Sequence, residues 1–311
     1  MLDLIIVGSG PAGLSAAIYG IRANLNLLVI EKEYEGTGQI ALSNQVDNYL
    51  GFPGIDGYSL GETFRNHAVD LGVKFLEAEV NEINPIYNGE ASAPSHFIIS
   101  TSDGQKLESK TVIYAAGASH RKLGVSGEEK FEGKGVSYCA TCDGAFYKNK
   151  KTAVVGGGDT ALDDALYLSA ICEKVYLIHR RDTFRAAEIT VQKVLAKDNI
   201  ELVLNSTVSD ITGDDKVNGV IVNQKTSSGE IEKNIELNGI FLAVGSKPET
   251  TILEKTQELK LDDAGYIIAD ESCETSLPGF FAAGDVRTKT LRQVITAVSD
   301  GAIAATAASK L

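Results

Sequence analysis

At 311 residues the chain exceeds one ordinary hydrophobic core, and its length predicts two domains. A net charge of −13 argues against nucleic acid as a general partner, because binding a phosphate backbone needs a basic face. No apolar run reaches the roughly 18 residues of a membrane-spanning helix, so no membrane is expected. A strand-like run begins almost at Met1 with no charged leader or cleavage site before the first glycine turn, and the expected location is the cytoplasm. Four cysteines are too few for a disulfide scaffold.

The first element is the apolar run Leu2 to Val7, which enters Gly8-Ser9-Gly10-Pro11-Ala12-Gly13. An Ala-rich, helix-competent stretch follows from Leu14 to Ala23, then an apolar run from Leu25 to Ile30 that ends in Glu31. Strand, glycine turn, helix, strand and acid make a dinucleotide-binding unit. The glycines allow a tight turn and a close approach to a pyrophosphate, and the helix N-terminus favours the phosphates. The acid is placed to take ribose hydroxyls. Gly8, Gly10, Pro11, Ala12, Gly13 and Glu31 are therefore the candidate residues of a first nucleotide site.

Further along lies Ser137-Tyr138-Cys139-Ala140-Thr141-Cys142-Asp143. Two cysteines at this spacing are within disulfide reach across one turn, and one thiol of such a pair is often acidic. Asp143 could shuttle a proton as a thiolate forms and leaves. Zinc binding and an inert buried pair are the competing readings. Zinc would need two more ligands, but Cys172 and Cys273 stand alone and the four histidines form no paired motif, so no metal is expected. Cys172 and Cys273 themselves read as small buried apolar side chains.

The first pattern then returns. Thr152 to Val155 leads into Gly156-Gly157-Gly158-Asp159-Thr160-Ala161, a helix through Ser169 and a strand from Lys174 to Ile178. Gly156 lies 148 positions after Gly8, and the same offset carries Glu31 to His179, followed by Arg180, Arg181 and Arg185. Arginines where the first unit has a carboxylate would grip a 2′-phosphate that the carboxylate would repel. The chain is thus read as binding FAD first and NADPH second, the latter through Gly156, Gly158, Asp159, Thr160, Ala161, His179, Arg180, Arg181 and Arg185. Similar apolar strands ending in glycine, Thr111 to Ala118 and Gly239 to Ser246, bracket the second unit. The expected fold is α/β, with two Rossmann-like, three-layer domains built on parallel central sheets. An NADPH domain over 118–243 carries the cysteine pair and is inserted in a discontinuous FAD domain of 1–114 and 246–311. Phe97 to Thr101 and Val217 to Asn223 read as small antiparallel additions.

Two such units, Cys-Ala-Thr-Cys-Asp, His-Arg-Arg-x-x-x-Arg and Phe280-Phe281-Ala282-Ala283-Gly284-Asp285 together resemble the low-molecular-weight thioredoxin reductases of the pyridine nucleotide–disulfide oxidoreductases over essentially the whole chain. The resemblance implies that Gly284 and Asp285 meet the flavin ribityl chain or pyrophosphate, and that Arg292, Gln293 and Val294 line the isoalloxazine and a dimer contact. It implies flavin contacts for Gly38, Gln39, Ile40 and Asn48, although Thr37 replaces a family glycine. It further implies that Cys142 faces the flavin and Cys139 attacks the disulfide of thioredoxin or a thioredoxin-like carrier. A homodimer and a rotation of one domain against the other at the two crossings are also implied. The rivals are a ferredoxin-dependent flavin thioredoxin reductase, which would lack the arginine cluster, and a ferredoxin–NADP reductase, which would lack the cysteine pair. A flavoprotein of a peroxide-reducing system would carry an additional thioredoxin-like region. From another class, a non-catalytic nucleotide redox sensor would bind both nucleotides without turnover.

Overall fold

The computed structural model describes residues 1–33, 35–43, 45–89, 92–254, 256 and 258–311. In chain order the strands begin with β1 (Leu2–Val7), β2 (Leu27–Glu31), β3 (Phe75–Glu77), β4 (Val80–Ile86), β5 (His96–Thr101), β6 (Lys106–Tyr114) and β7 (Ala118–His120). Helices α1 (Pro11–Arg22) and α2 (Gly57–Asp70) lie among them. The next stretch comprises β8 (Val136–Ser137), α3 (Ala140–Asp143), β9 (Lys151–Val155), α4 (Asp159–Ser169), β10 (Lys174–Ile178) and α5 (Glu188–Leu195). It continues through β11 (Ile200–Val203), β12 (Ser206–Gly213), β13 (Val217–Thr226), β14 (Gly229–Glu236) and β15 (Gly239–Leu242). The chain ends with β16 (Ser246–Pro248), β17 (Phe280–Ala282) and α6 (Val294–Ala308).

Two compact units result: Met1–Ser119 with Lys247–Leu311, and His120–Ser246. The first holds a sheet in the order β3-β2-β1-β6-β5-β4, with β17 also pairing to β6. Strands β1, β2, β3, β6 and β17 run parallel, whereas β4 and β5 add antiparallel strands at one edge. A strand buried on both faces needs a continuous apolar run, and the period of two sorts β1 accordingly. Leu4 and Ile6 face α1 and α6, whereas Ile5 and Val7 pack with Phe97, Tyr114 and Phe280.

The second unit holds an all-parallel sheet in the order β11-β10-β9-β15-β8, and β12-β13-β14 form a separate antiparallel sheet. Ala153, Val155, Ile240 and Leu242 pack with Val208, Ile211, Val220 and Val222 of that smaller sheet. Val154, Leu177 and Phe241 pack with Ala161, Leu162, Ala165 and Leu168 of α4 and with Ala140 of α3. Among the described residues, no helix is long and apolar enough to cross a membrane.

Candidate functional site

In the first unit, β1 delivers the chain into a turn that only a residue without Cβ can make. Gly8 has φ +100 and donates to the Ile30 carbonyl at 2.8 Å, and a Cβ on it would collide with the Ala115 carbonyl group. Pro11 starts α1, where its missing N–H costs nothing. No side chain caps this helix and its first turn has no acid, so no group of the helix itself offsets the positive field of its N-terminal N–H groups. Gly38, at φ +76, and Gly284, at φ +80, approach it closely. A Cβ on either would stand 2.9 Å from Gly10 Cα or Ala12 Cβ respectively.

The remaining first-unit candidates gather around this turn. Asp285 follows Gly284, and its Oδ1 is buried with no hydrogen-bond partner among the described residues. Burial pushes its carboxyl above the ordinary value against the pull of Lys289 and Arg292. Asp300 Oδ2 holds the same loop by accepting from Gly284 N at 3.0 Å, Arg287 Nε at 3.2 Å and Lys289 Nζ at 2.8 Å. Arg292 lies over the Tyr266 ring at 4.0 Å. Gln293 caps α6 and its Oε1 accepts from Asn48 Nδ2 at 2.9 Å, which ties the 48 region to the last helix. Ile40 packs with Val46 and Leu60, Val294 adds to that cluster, and Gln39 Nε2 donates to the Ala118 carbonyl. Thr37, the departure from the family glycine, is buried against α2, where Gly61 supplies the room: a Cβ there would collide with the Thr37 side chain.

Glu31 stands where the acid was expected, yet its Oε2 already accepts from Ser9 N and Ser9 Oγ, both at 2.8 Å. The Gly36 carbonyl oxygen, 2.5 Å from Ser9 Oγ, shares that one hydroxyl hydrogen with Glu31. The carboxylate thus fastens the glycine turn to the loop after β2. Ser9 was not singled out from sequence, because a serine between two glycines carries no signal of its own.

The second unit repeats this architecture atom for atom at several points. Gly156 N donates to the Ile178 carbonyl at 3.1 Å, as Gly8 N does to Ile30, and Ala243 N donates to the Val155 carbonyl at 2.9 Å, as Ala115 N does to Val7 at 2.8 Å. The contrast comes at the acid position. His179 is buried with its ring over Gly157, where a Cβ would collide with it, and it stacks on Phe184 at 5.5 Å. Burial lowers its pKa against the hydrogen bond to the Thr183 carbonyl, with smaller contributions from the three arginines, and the ring packs as a spacer. Arg180, Arg181 and Arg185 are exposed and form no ion pair among the described residues. Thr160 is exposed in the first turn of α4, Gly158 precedes that turn with open space at its Cβ position, and Ala161 is buried under Gly156. Asp159, the first residue of α4, accepts from Ala187 N at 2.8 Å.

The cysteines of the same unit sit on α3 and its cap. Cys139 and Cys142 form a disulfide with Cα atoms 5.3 Å apart, and Cys142 N also donates to Cys139 Sγ at 3.2 Å. Ala140, fully buried in the α4 cluster, pins this turn to the core. Asp143 closes it. Its Oδ2 accepts from Ser137 Oγ at 2.6 Å, and Ser137 Oγ in turn accepts from Cys139 N at 3.1 Å. Burial pushes the Asp143 carboxyl above its ordinary value while the Ser137 hydroxyl pulls it down. Burial also pushes Tyr147 up to about 12, with Asp143 and Cys172 adding to it.

On the other side of the turn, the buried Glu128 accepts from Leu123 N at 3.0 Å, Gly124 N at 2.7 Å and Tyr138 OH at 3.0 Å, anchoring the residue before Cys139. Sequence reasoning missed Ser137 and Glu128, since neither belongs to a spacing pattern. Burial, with Asp163 adding, also pushes Asp164 of α4 up to about 7.

A disulfide on a short turn and two nucleotide-type glycine turns define a two-electron carrier. The family model for pyridine nucleotide-disulphide oxidoreductases matches residues 2–301, and the chain belongs to this family. Within it, the chain is 43% identical to a thioredoxin reductase of Mycoplasma pneumoniae, over 97% of this chain and 92% of that protein. It is equally 43% identical to a thioredoxin reductase of Treponema pallidum, over 99% of this chain and 96% of that protein. The crystal structure of thioredoxin reductase from Streptococcus pyogenes superposes with a TM-score of 0.91 at 38% identity, covering 100% of this chain and 97% of that one.

Proposed function

We propose that the protein is a thioredoxin-disulfide reductase in which FAD is held by the first unit, 1–119 with 247–311, and NADPH by the second, 120–246. The observation that carries the reading is the Cys139–Cys142 disulfide on a turn closed by the half-buried Asp143, in a unit that also bears arginines with no ion pair among the described residues. The first unit fits the flavin nucleotide: an uncapped helix N-terminus, glycines that let backbone approach, and an orphaned Asp285 oxygen await polar partners. When bound, the flavin supplies the two-electron chemistry that joins a nicotinamide donor to a disulfide acceptor.

The chain's residues do the rest. Opening the Cys139–Cys142 bond takes two electrons and two protons, and Asp143, whose carboxyl burial raises, stands beside that turn to pass a proton. Cys139 then attacks the disulfide of thioredoxin or a thioredoxin-like carrier, and Cys142 resolves the mixed disulfide, so the electrons leave as the partner's dithiol and the Cys139–Cys142 bond re-forms. Arg180, Arg181 and Arg185 take the 2′-phosphate of NADPH. Leu291, Ile295 and Ile303 are exposed at and along α6, which supports a homodimer through that helix. The cytoplasm, where a disulfide carrier is kept reduced, is the location this chemistry suits.

The test is anaerobic mixing of the yellow holoprotein with NADPH and, separately, NADH. Rapid loss of oxidised flavin absorbance with NADPH and slower loss with NADH is expected. Bleaching by neither would move the reading to a ferredoxin-fed reductase. Bleaching without reduction of any thioredoxin would move it to a nucleotide sensor.

A further inference from the structure

The second glycine turn contains a feature that its phosphate chemistry does not call for. Asp159 is the first residue of α4, at the helix end where a diphosphate would approach, and a carboxylate there opposes an incoming anion. The first unit has Pro11 at the matching place, 148 positions earlier, and no acid anywhere in that first turn. An acid is therefore not required by the turn itself.

Its hydrogen bond shows what it does. In the first unit the loop after β2 is fastened to the glycine turn by Ser9, whose hydroxyl reaches the Gly36 carbonyl. In the second unit the residue matching Ser9 is Gly157, which has no side chain to offer, and the His179 ring fills the space above it. The loop after β10 is held instead by two other bonds. Arg185 N donates to the Gly157 carbonyl at 2.7 Å, and Ala187 N donates to Asp159 Oδ1 at 2.8 Å. These bonds flank one arginine of the exposed cluster, and the stack of His179 on Phe184 lies just ahead of them. Ala187 is also the N-cap of α5 and has no side-chain cap of its own, so the Asp159 bond fixes the point where loop becomes helix.

We propose that Asp159 is a positioning residue for nucleotide selection: it latches the arginine loop 180–187 to the glycine turn and so holds Arg180, Arg181 and Arg185 ready for a 2′-phosphate. The inference rests on the NADPH reading above and deepens it. Long exposed arginines lose rotamer and backbone freedom when they grip a phosphate, and a loop already fixed at both ends has less to lose. The latch therefore acts on ligands that carry the 2′-phosphate and is indifferent to those that do not. A carboxylate acting directly on the nucleotide's other phosphates would affect both kinds alike.

The experiment is calorimetric titration of the holoenzyme with adenosine 2′,5′-bisphosphate and with adenosine 5′-monophosphate, for the unaltered protein, Asp159→Ala and Asp159→Asn. Loss of one hydrogen bond to a charged, exposed acceptor sets the scale of the effect. Asp159→Ala is expected to weaken the bisphosphate about fivefold to tenfold and to change the monophosphate less than about twofold. Asp159→Asn, which keeps an oxygen acceptor without the charge, should restore most of the lost preference. Equal weakening of both ligands by Asp159→Ala, or tightening of both by either variant, overturns the latch, because the carboxylate would then act through charge. If Asp159→Ala keeps the full preference, the latch alone falls. If the unaltered protein shows no preference for the bisphosphate, the NADPH reading falls and the latch with it.

Discussion

Ser137 is the residue whose chemistry is most exposed to a simple substitution. Its hydroxyl gives a hydrogen to Asp143 Oδ2 and receives one from Cys139 N, so one oxygen joins the acid to the backbone of the first cysteine. The hydrogen bond favours the charged carboxylate and opposes burial, which favours the neutral acid. Ser137→Ala removes only the first influence, so the Asp143 pKa moves further up. The acid form then persists to higher pH, and the alkaline limb of any step that needs its proton shifts upward with it. The measurement is the pH dependence of mixed-disulfide formation between the reduced enzyme and a small disulfide. An unmoved profile, with only a lower plateau, would make Ser137 a packing residue. Nothing in the spacing of Cys139 and Cys142 points to this serine, because its role depends on a turn bringing residues 137 and 143 together.

At the scale of elements, the two strand–turn–helix units were legible because their signals are local: apolar runs, glycines and an acid or arginines at a fixed distance. The strand from Lys174 to Ile178 lies where its apolar run lies, and the 148-position offset is kept at both ends of the Gly8–Ile30 and Gly156–Ile178 backbone hydrogen bonds. What was not legible is the use made of equivalent positions. Glu31 fastens Ser9, His179 covers Gly157, and Asp159 reaches a loop 28 positions on, none of which a residue type announces by itself.

Helix packing was equally silent. Gly301 of α6 lies against α1 so closely that a Cβ would collide with the Ala12 carbonyl oxygen, and Ser15 Oγ reaches across to the Val298 carbonyl at 2.7 Å. The contact seats the N-terminal turn of α1, the turn proposed to meet the flavin nucleotide. Gly301→Ala forces backbone apart, and overpacking of this kind costs about 1–3 kcal/mol. Urea unfolding of the FAD-free protein should show a midpoint lowered accordingly, and FAD should bind more weakly. An unchanged midpoint would mean that α6 yields without cost.

For the whole molecule, each unit has its own sheet, its own apolar clusters and its own glycine turn. The first is built on Leu4, Ile6, Val29 and Ile113 with Ile5, Val7, Phe97 and Phe280 behind them, and the second on Val154, Leu177 and Phe241 with Val155, Ile240 and Leu242 behind them. A ligand that binds only the folded form of one unit stabilises that unit by mass action, about 2.7 kcal/mol at roughly a hundred times its Kd. Chains of this size with two separate cores need not unfold in a single step. Calorimetry of the FAD-free protein is therefore expected to resolve two transitions, of which FAD raises one and NADP+ raises the other. A difference of this kind ties each nucleotide to a separate core without reference to turnover, and it distinguishes two sites from one shared site. If either nucleotide alone moved both transitions together, the two units would share one cooperative folding event. The assignment of FAD to 1–119 with 247–311 and of NADPH to 120–246 would then need a ligand contact mapped residue by residue.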